Sequence, residues 1–427
     1  MIVFITGASG FIGRHLALAL ARAGHDLVLG LHRETSTALP GRVVAVDFVH
    51  DLDPSNWRPR LRGVDVVINS VGLLREHGAQ TFDALHRAAP CALFTACVDA
   101  GVRRVIQVSA LGADADAQSR YHLSKRAADE FLAALPIDSA IVQPSLVYGV
   151  GGTSARLFDL LASLPAIPVP GDGSQRVQLV HIDDLADAVV ALVARRGARG
   201  TRYPIVGPAP LALAEFLRRL RATLGFPGAR VVQVPMTWIR FVAAIGEHLP
   251  GALLDRETLA MLVRGNTAPV AVTRELLGRE PRPVEAFVPR EAALAAGMQA
   301  ALDWQLPLLR VAIAAVWIWT GIVSMGLYPL EESYALLARL GLRGTMATIL
   351  LYGAALLDIM LGVATLAMRN RRWLWIAQMA LIAGYTVLIS VWLPEFWVHP
   401  YGPMVKNLPL IAAIWLIATL ERRRWTT

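Results

Sequence analysis

The feature that most constrains this chain is its opening, MIVFITGASGFIG, in which an apolar run leads through a glycine-rich turn into a helix-forming segment. β-Branched and aromatic residues at Ile2–Ile5 predict a strand, and Ile12–Ala23 has the composition of a helix. Asp26–Leu31 predicts a second strand. The sequence therefore predicts a βαβ unit whose first connection is the glycine-rich turn.

The glycines of this turn are spaced as Gly7-x-x-Gly10-x-x-Gly13. This spacing lets the backbone pass close beneath a pyrophosphate, and the N–H groups that begin the following helix face its anionic oxygens. The pattern in a strand–turn–helix context predicts a dinucleotide-binding site. The residues expected to contact the cofactor here are Gly7, Ala8, Ser9, Gly10, Phe11, Ile12 and Gly13.

Composition separates the chain into two regions. Hydrophobic residues make up 55% of the sequence and the mean hydropathy is +0.47, which is too high for an ordinary soluble enzyme. Charges are regularly spaced at first and become sparse after Leu306, which indicates a membrane region. The net charge of +8 comes from scattered arginines and from arginines that flank apolar segments, without the basic and aromatic clusters of nucleic-acid-binding proteins. We therefore expect no nucleic-acid partner.

The chain has two cysteines, Cys91 and Cys97, whose spacing fits neither a zinc site nor a disulfide framework. We interpret both as small core residues in a reducing compartment. The N-terminus lacks the basic segment of a signal peptide, and its apolar run belongs to the nucleotide-binding fold. The sequence therefore predicts a cytoplasmic N-terminal domain.

Further strands alternate with helical or loop segments through the first half of the chain. Their predicted ranges are Arg42–Val46, Val64–Asn69, Arg104–Ser109 and Asp138–Gln143. The alternation predicts an α/β fold with a Rossmann-type, doubly wound parallel sheet, which binds its ligand across the carboxyl ends of the strands. We interpret the alternation of strands and helices as ending after Gly149. Residues from about 150 to 300 are interpreted as a small substrate lobe.

The end of the second strand bears on the choice of cofactor. It reads His32-Arg33, where an NAD-preferring enzyme usually has an acidic residue on the ribose 2′-hydroxyl. An arginine suits the 2′-phosphate of NADP instead, so NADP is favoured, with NAD still possible. Arg14 is placed to join Arg33, and Asp47, at the end of the third strand, is placed to meet the adenine.

The catalytic signal is Tyr121-His-Leu-Ser-Lys125. Residues four apart share a helix face, so the phenol and the ammonium can point into one pocket. A lysine cation favours the phenolate and lowers the pKa of the tyrosine, which makes the phenol a usable acid or base near neutral pH. Ser109, at the carboxyl end of a predicted strand, is expected to donate a hydrogen bond to the substrate oxygen.

Residues 1 to about 290 resemble the extended or atypical short-chain dehydrogenases/reductases, and most closely the branch that contains the nucleotide-binding accessory subunit of respiratory complex I. The matching stretches are TGASGFIG, VDVVINSVG at 64–72, VSALGAD at 108–114, YHLSK at 121–125, QPSLVYG at 143–149, PGDGSQRVQLVHIDDLADAV at 170–189 and YPIVGP at 203–208.

This resemblance assigns roles to individual residues. It implies that Tyr121 donates the proton, that Lys125 anchors the ribose and tunes the tyrosine, and that Ser109 orients the carbonyl. It also implies cofactor contacts from Phe48 beside Asp47, from Ser70, Val71 and Gly72 after the fourth strand, and from Pro144 and Ser145 near the nicotinamide.

A cluster of polar residues raises the question of a metal. His181, Asp183 and Asp184 carry ligand groups, but Asp183 is expected to cap a helix at Leu185–Val193, so no metal site is predicted.

Helices are predicted in the second lobe at Leu211–Leu224 and Pro235–Leu249. In the second of these, Trp238, Phe241 and Ile245 form a stripe at helical spacing, which is interpreted as core.

Four apolar segments near the length of about 20 residues needed to cross a bilayer follow, at Leu306–Leu327, Met346–Met368, Trp373–Leu393 and Met404–Leu420. Arginines lie between the second and third segments and after the fourth, namely Arg369, Arg371, Arg372 and Arg422–Arg424. The other two loops carry Glu331, Glu332 and Glu395. The positive-inside rule then predicts a multi-pass protein of the inner (cytoplasmic) membrane with both termini in the cytoplasm.

Asp358 lies near the middle of the second segment, where inserting a carboxyl group into the bilayer costs free energy. An ionisable residue at this depth is therefore treated as a candidate functional residue. It is expected to face the interior of the bundle, with Thr320 and Tyr385 at comparable depth. A purely structural hydrogen bond between helices is the alternative.

Residues from about 305 to the end resemble the DoxX-like four-helix membrane proteins. The matching stretches are VWIWTGIVS at 316–324, YGAALLDIMLG at 352–362 and HPYGPMVKNLP at 399–409. The resemblance implies an all-α four-helix transmembrane bundle, so the predicted domains are 1–300 and 305–427.

Three functions follow from these observations. The leading hypothesis is a membrane-tethered, NADPH-dependent reductase of a small apolar carbonyl or quinone-like substrate drawn from the lipid bilayer. A nucleotide-binding sensor or assembly module without catalysis is the rival, and NAD-dependent epimerase or dehydratase chemistry on a nucleotide sugar is the third. A membrane-protein partner or a homo-oligomer is compatible with each.

Overall fold

A computed structural model describes residues 1–32, 39–195, 197, 199–248, 254–368, 371–400 and 402–424, with the side chains of 422–424 excepted. The chain divides into two compact units, Met1–Ala300 and Ala301–Thr427, which we call the N-terminal unit and the C-terminal unit.

The N-terminal unit contains the strands of the molecule. These are β1 (Ile2–Thr6), β2 (Asp26–Leu31), β3 (Arg42–Ala45), β4 (Val66–Asn69), β5 (Arg104–Val108), β6 (Asp138–Pro144), β7 (Val147–Tyr148), β8 (Ala166–Pro170), β9 (Arg176–Val177), β10 (Val180–His181), β11 (Thr201–Ile205), β12 (Leu211–Ala212) and β13 (Arg230–Val234). Seven of them form one parallel sheet in the order β11-β6-β5-β4-β1-β2-β3. The others form two-stranded pairs, β7 with β10, β8 with β13, and β9 with β12.

Helices cover this sheet and build a second lobe. They are α1 (Phe11–Arg22), α2 (Pro54–Trp57), α3 (Ala89–Asp99), α4 (Arg120–Ala134), α5 (Thr153–Ser163), α6 (Ile182–Ala194), α7 (Leu213–Thr223), α8 (Met236–Gly246), α9 (Arg256–Arg264) and α10 (Ala271–Leu277). A π-helical turn, Asp83–Ala88, precedes α3.

The large sheet is buried on both faces, as its continuous apolar strands predict. On one face Ile5 packs with Leu16 of α1 and Val189 of α6. On the other face Phe4 packs with Leu93 of α3 and with residues of α4. The predicted Rossmann-type, doubly wound sheet is therefore confirmed, with the carboxyl ends of its strands beside the first turn of α1.

The interpretation that the alternation of strands and helices ends after Gly149 is wrong. β11 joins the sheet as a parallel neighbour of β6, with Tyr203 opposite Val142. The helix before it, α6, is buried against the same face of the sheet as α1. Parallel strands need a long crossover connection, and residues between β6 and β11 supply both that connection and a separate lobe.

The second lobe has its own core. Phe158 of α5 and Phe216 of α7 meet edge to face at 5.2 Å between ring centroids, and Phe287 stacks on Tyr148 at 4.8 Å.

The predicted cap of α6 is corrected by the structure. His181, rather than Asp183, is the N-cap, and its Nδ1 accepts from the N–H of Asp183 at 3.3 Å. Asp184 is fully buried and accepts hydrogen bonds of 2.7 Å from Arg279 Nη2 and from the N–H of Arg282. Within the described part of the chain, no group of three or more His, Cys, Asp or Glu residues could hold a metal ion.

The interpretation of the stripe on α8 as core is also wrong. Trp238, Phe241 and Ile245 are exposed, and the buried residues of the helix are the small Ala243 and Gly246. Leu249, at the predicted end of this helix, lies outside the described residues.

The C-terminal unit is helical. Its helices are α11 (Arg290–Ile322, which begins before the unit boundary), α12 (Leu330–Arg339), α13 (Gly344–Ala367), α14 (Arg372–Trp392) and α15 (Asn407–Arg424). Three described segments are long and apolar enough to cross a membrane: Arg290–Leu327, Gly344–Ala367 and Arg372–Trp392.

The fourth predicted span, Met404–Leu420, corresponds to the shorter apolar helix Asn407–Glu421. Because the chain is in a turn at Met404, the apolar run is only partly helical. At 1.5 Å per residue, its helical part covers roughly 22 Å, less than the hydrocarbon core of about 30 Å. The even number of spans on which the topology was predicted is therefore not confirmed.

Small residues bring α11 and α13 together. A Cβ at Gly321 would lie 2.5 Å from the carbonyl oxygen of Ala355, and one at Gly362 would lie 2.8 Å from that of Ala314. Close backbone approach at glycine is a general means of packing membrane helices.

Asp358 of α13 is buried, in agreement with the expectation that it faces the interior, and its Oδ1 has no hydrogen-bond partner among the described residues. Thr320 is exposed and donates to the carbonyl of Val316 at 2.8 Å, so its hydroxyl is used within its own helix. Tyr385 is half-buried.

Candidate nucleotide-binding and catalytic site

The glycine-rich turn is built without room for side chains. Gly7 has φ +72°, and a Cβ there would lie 3.0 Å from the backbone nitrogen of Val71. A Cβ at Gly13 would lie 2.1 Å from the carbonyl oxygen of Gly7, and one at Gly10 would lie 3.1 Å from the same atom. The positive φ at Gly7 and the close contact at Gly13 require glycine, and the space at Gly10 is tight.

The turn leaves the start of α1 open. Gly10 is the N-cap and offers no side-chain hydrogen bond, so no capping group covers the first N–H groups of the helix. Ser9 and Gly10 are exposed, Phe11 and Ile12 are half-buried, and Ala8 is buried.

A row of buried polar groups fixes the strand ends beneath the turn. Thr6 Oγ1 donates to Asn69 Oδ1 at 2.7 Å, and Asn69 Nδ2 donates to Gln107 Oε1 at 2.7 Å. Ser70 Oγ donates to the carbonyl of Thr6 at 2.6 Å, so the hydroxyl of this predicted contact residue holds the strands together. Val71 is half-buried and Gly72 is exposed.

The adenine end of the predicted site lies after β2 and β3. Asp47 accepts from the N–H of Val49 at 2.9 Å, and its Oδ2 lies 2.9 Å from His50 Nδ1 and 3.8 Å from His32 Nδ1. Burial opposes ionisation of Asp47, but the hydrogen bonds from His50 and Val49 outweigh it and lower the pKa of the carboxyl. Asp47 is therefore a carboxylate at neutral pH.

Three predicted contacts at this end are placed differently or lie outside the structure. Arg33 lies outside the described residues. Arg14 Nη2 donates to the carbonyl of Val150 at 2.9 Å, so its guanidinium is engaged elsewhere. Phe48 is buried edge to face against Trp57, with ring centroids 5.3 Å apart, which leaves only its backbone for a nucleotide.

The predicted acid and its partner lie one turn apart on α4. Lys125 Nζ donates to the carbonyls of Val71 and Val108, each at 3.1 Å. These carbonyls follow β4 and end β5, and a Cβ at Gly72 would lie 3.2 Å from the ammonium. The lysine is thus fixed at the carboxyl edge of the sheet, on the helix that carries Tyr121.

The prediction that Lys125 lowers the pKa of Tyr121 is wrong for this structure. Burial, followed by the negative charge of Asp129, raises the pKa of Tyr121 to about 12. Burial also lowers the pKa of Lys125, whose ammonium is turned towards two carbonyls. The phenol therefore holds its proton at neutral pH and is chemically a donor.

Ser109 is buried and makes a contact that the sequence did not indicate. Its Oγ donates to Asp129 Oδ2 at 2.5 Å, so its proton is directed at a buried carboxyl group one turn beyond Lys125. Burial raises the pKa of Asp129. The expected hydrogen bond from Ser109 to a substrate stays a prediction, and it would require this contact to break.

Pro144 and Ser145 lie at the end of β6, and both are buried. The carbonyl of Pro144 accepts from the N–H of Leu111 at 2.9 Å. Ser145 Oγ donates to the carbonyl of Gln178 at 2.5 Å. The two residues therefore fix the loops after β5 and β6, and their contact with a nicotinamide stays a prediction.

His86 is a site residue that no sequence pattern indicated. It is fully buried, its Nε2 accepts from the N–H of Leu73 at 3.0 Å, and its Nδ1 lies 2.9 Å from Ser124 Oγ. Because Ser124 Oγ donates to the carbonyl of Tyr121, the Nδ1–H of His86 donates to Ser124. The imidazole ring lies edge-on to the Tyr121 ring with centroids 5.4 Å apart.

Helix α9 contacts the catalytic loops at both ends. Glu257 Oε1 accepts from the N–H of Tyr121 at 2.8 Å. Arg264 donates to the carbonyl of Gly112 at 2.8 Å and pairs with Asp114 at 2.6 Å. The second lobe is thereby attached to the two segments that follow β5.

These residues fit a dinucleotide. The glycine-rich turn leaves a space that side chains would fill, and the first N–H groups of α1 have no side-chain cap. Both features suit the binding of a pyrophosphate. Lys125, fixed at the strand ends, is placed to donate to ribose hydroxyls, and Asp47 to accept from a purine amine.

The comparisons with known proteins agree with this geometry. Residues 3–205 match the NAD-dependent epimerase/dehydratase family, and residues 314–415 match the DoxX-like family. The ceramide reductase of Caulobacter vibrioides is 34% identical over 209 residues, which cover 48% of this chain and 62% of that protein.

A second relative comes from mitochondria. NADH dehydrogenase (ubiquinone) 1 alpha subcomplex subunit 9 of Arabidopsis thaliana is 29% identical over 225 residues, which cover 49% of this chain and 54% of that protein. The chain thus spans less than two thirds of the length of either relative.

A solved nucleoside-diphosphate-sugar epimerase from Staphylococcus aureus superposes with a TM-score of 0.55 at 17% identity, over 67% of this chain and 99% of that one. This likeness shows the fold alone. The two family matches together show an N-terminal nucleotide-binding domain of the epimerase/dehydratase, short-chain dehydrogenase/reductase type over residues 3–205 and a DoxX-like domain over residues 314–415.

Proposed function

We propose that this protein is a membrane-anchored, NADPH-dependent oxidoreductase that reduces an apolar carbonyl or quinone-like compound at the cytoplasmic face of the inner membrane. The observation that carries the proposal is the pair on α4. Tyr121 is a protonated phenol beside Lys125, whose ammonium is fixed at the carboxyl edge of a sheet with a dinucleotide-binding turn.

Tyr121 and Lys125 have different roles in such a reduction. When bound, the nicotinamide supplies the hydride. Tyr121 donates its proton to the substrate oxygen as negative charge develops there, and its raised pKa keeps the phenol protonated until that moment. Lys125, fixed at the strand ends, binds the ribose hydroxyls. The reductase activity named for the Caulobacter relative supports this chemical class.

NADPH is the proposed cofactor, with NADH as the alternative. β2 ends in Leu31 and is followed by His32-Arg33, two basic residues near the position where NAD-preferring enzymes usually hold the ribose 2′-hydroxyl with an acidic residue. The nearby carboxylate, Asp47, is bonded to the N–H of Val49 and to His50.

The proposed location rests on the C-terminal unit. Three described helices have the length and composition of membrane spans. Arg371 lies between the second and third of these and Arg372 begins the third, whereas Glu331, Glu332 and Glu395 lie in other connections, which supports a cytoplasmic second loop. This orientation places the N-terminus in the cytoplasm, and a cytoplasmic C-terminus is proposed on the further condition that the shorter apolar helix Asn407–Glu421 crosses the membrane as a fourth span. A membrane-protein partner or a second copy of the chain is proposed as the assembly.

The experiment is NADPH oxidation by the purified full chain in lipid nanodiscs. The substrates are a ketone derived from ceramide, a short-chain ubiquinone analogue and a water-soluble ketone. We expect turnover with a bilayer-soluble acceptor, and we expect Tyr121→Phe to abolish it while NADPH affinity stays near that of the wild type. Leu123→Ala, an exposed residue of the same helix, is the matched control. Full activity of Tyr121→Phe would refute the proposed mechanism.

A second candidate is a nucleotide-binding module without turnover. It is favoured by one observation, the engagement of Ser109 with Asp129, which leaves no hydroxyl of Ser109 for a substrate. The relative named as a subunit of NADH dehydrogenase supports the same possibility. Tight NADPH binding with no oxidation by any acceptor, and no conversion of nucleotide sugars, would favour this candidate.

A further inference from the structure

Helix α8 presents its largest apolar side chains outward. Trp238 is 62% exposed, Phe241 58%, Val242 51% and Ile245 46%. At 100° per residue these four side chains span a single stripe about 100° wide. The buried residues of the helix are small, and Ile239 on the same side is half-buried, so most of the apolar surface of α8 faces outward.

The stripe has the composition of a helix at a membrane surface. Trp238 and Phe241 contact edge to face at 6.1 Å between ring centroids, so the two aromatics form one continuous apolar surface. Arg240 is exposed on another side of the helix, about 100° from the nearest edge of the stripe. Aromatic and aliphatic residues along one side of a helix are typical of helices that bury their apolar face in the headgroup region.

We propose that α8 inserts this stripe into the surface of the bilayer that the same chain spans. The occupant is lipid rather than another protein, because the segments at 290–327, 344–367 and 372–392 tie the N-terminal unit to a membrane. That tether turns docking into an intramolecular event, so a short apolar face is sufficient for it.

The end of α8 is bonded to the catalytic segments. Arg75, in the loop after β4, donates through Nη2 to the carbonyls of Gly246 and Glu247 and lies 4.0 Å from Asp255. Asp255 caps α9, whose Glu257 accepts from the N–H of Tyr121. A substrate that leaves the lipid at α8 therefore enters beside the loops that carry Val71 and Tyr121. This part of the inference rests on the proposed function, whereas the docking itself does not.

The docking is tested by spin labels on the full chain in nanodiscs of anionic and zwitterionic phospholipid. Phe241→Cys and Ile245→Cys place labels on the stripe. Leu18→Cys, on the exposed side of α1 and 44% exposed, is the matched control. The native thiols react slowly, because burial raises the pKa of Cys91 to about 11 and raises that of Cys97 further.

Collision with oxygen reports lipid, and collision with a water-soluble nickel complex reports solvent. We expect labels at 241 and 245 to have several-fold lower nickel accessibility than the label at 18, with high oxygen accessibility. Equal nickel accessibility at the three positions would overturn the docking. Protection from both reagents would also overturn it, since a protein partner or a second copy would then cover the stripe.

Activity tests the entrance separately. The Trp238→Ser/Phe241→Ser variant is expected to raise KM several-fold for a bilayer-soluble substrate and to leave NADPH affinity unchanged, whereas Leu18→Ser changes neither. An unchanged KM in the double variant would overturn the entrance. Labels that enter lipid in a chain without turnover would support the docking and refute the proposed function. Turnover with labels that stay in water would refute the docking alone.

Discussion

Acid should destabilise the N-terminal unit through His86. The imidazole is fully buried, and burial together with the neighbouring Lys125 ammonium lowers its pKa from 6.5 to about 2. The folded state therefore keeps His86 neutral, whereas the unfolded chain protonates it near pH 6.5. This contribution to stability is complete above pH 6.5 and is lost progressively as the pH falls towards 2.

The magnitude follows from the two pKa values. Each pH unit below the unfolded value removes about 1.4 kcal/mol, so the free energy of unfolding should fall by about 2 kcal/mol from this residue between pH 7 and pH 5. His86→Gln removes the titration while its side-chain amide can still accept from the N–H of Leu73 and donate to Ser124. The variant should therefore lose about 2 kcal/mol less than the wild type over this range.

Pulse proteolysis of the full chain in mild detergent and urea measures this difference, because it reports the folded fraction of the N-terminal unit at each pH. His77→Gln, which removes an exposed imidazole, controls for the loss of one histidine. Parallel losses of stability by the wild type and His86→Gln between pH 7 and pH 5 would refute the reasoning.

Three shorter predictions concern other parts of the chain. Gly13→Ala should abolish NADPH binding, measured by calorimetry, because its Cβ would lie 2.1 Å from the carbonyl oxygen of Gly7; binding within a few fold of the wild type would contradict the packing of the turn. Arg33→Asp should shift preference from NADPH towards NADH, and equal affinity of the wild type for both cofactors would remove the basis of that assignment. Asp358→Asn should lower turnover while thermal stability in detergent changes little, because Oδ1 of the carboxyl has no hydrogen-bond partner among the described residues; unchanged turnover would leave Asp358 with a structural role.

Local patterns in the sequence were sufficient for several features. The turn from Gly7 to Gly13 was predictable because close backbone approach demands glycine at fixed spacing. Parallel strands buried on both faces are continuous apolar runs, so β1, β2 and β4 to β6 were recognised within two residues of their observed ends. The relation of Tyr121 to Lys125 followed from helix periodicity alone.

Only the tertiary structure decided features that depend on distant residues. β11 joins the sheet through pairing with β6, about sixty residues earlier, and no local pattern specifies that neighbour. Ser109 donates its hydrogen bond to Asp129, twenty residues further along the chain. The pKa of Tyr121 rises because of burial and of a carboxyl group two turns away on the same helix. The stripe on α8 has the same periodicity whether it faces a core or a membrane. Periodicity identifies an apolar face, but the packing of the whole lobe determines what that face contacts.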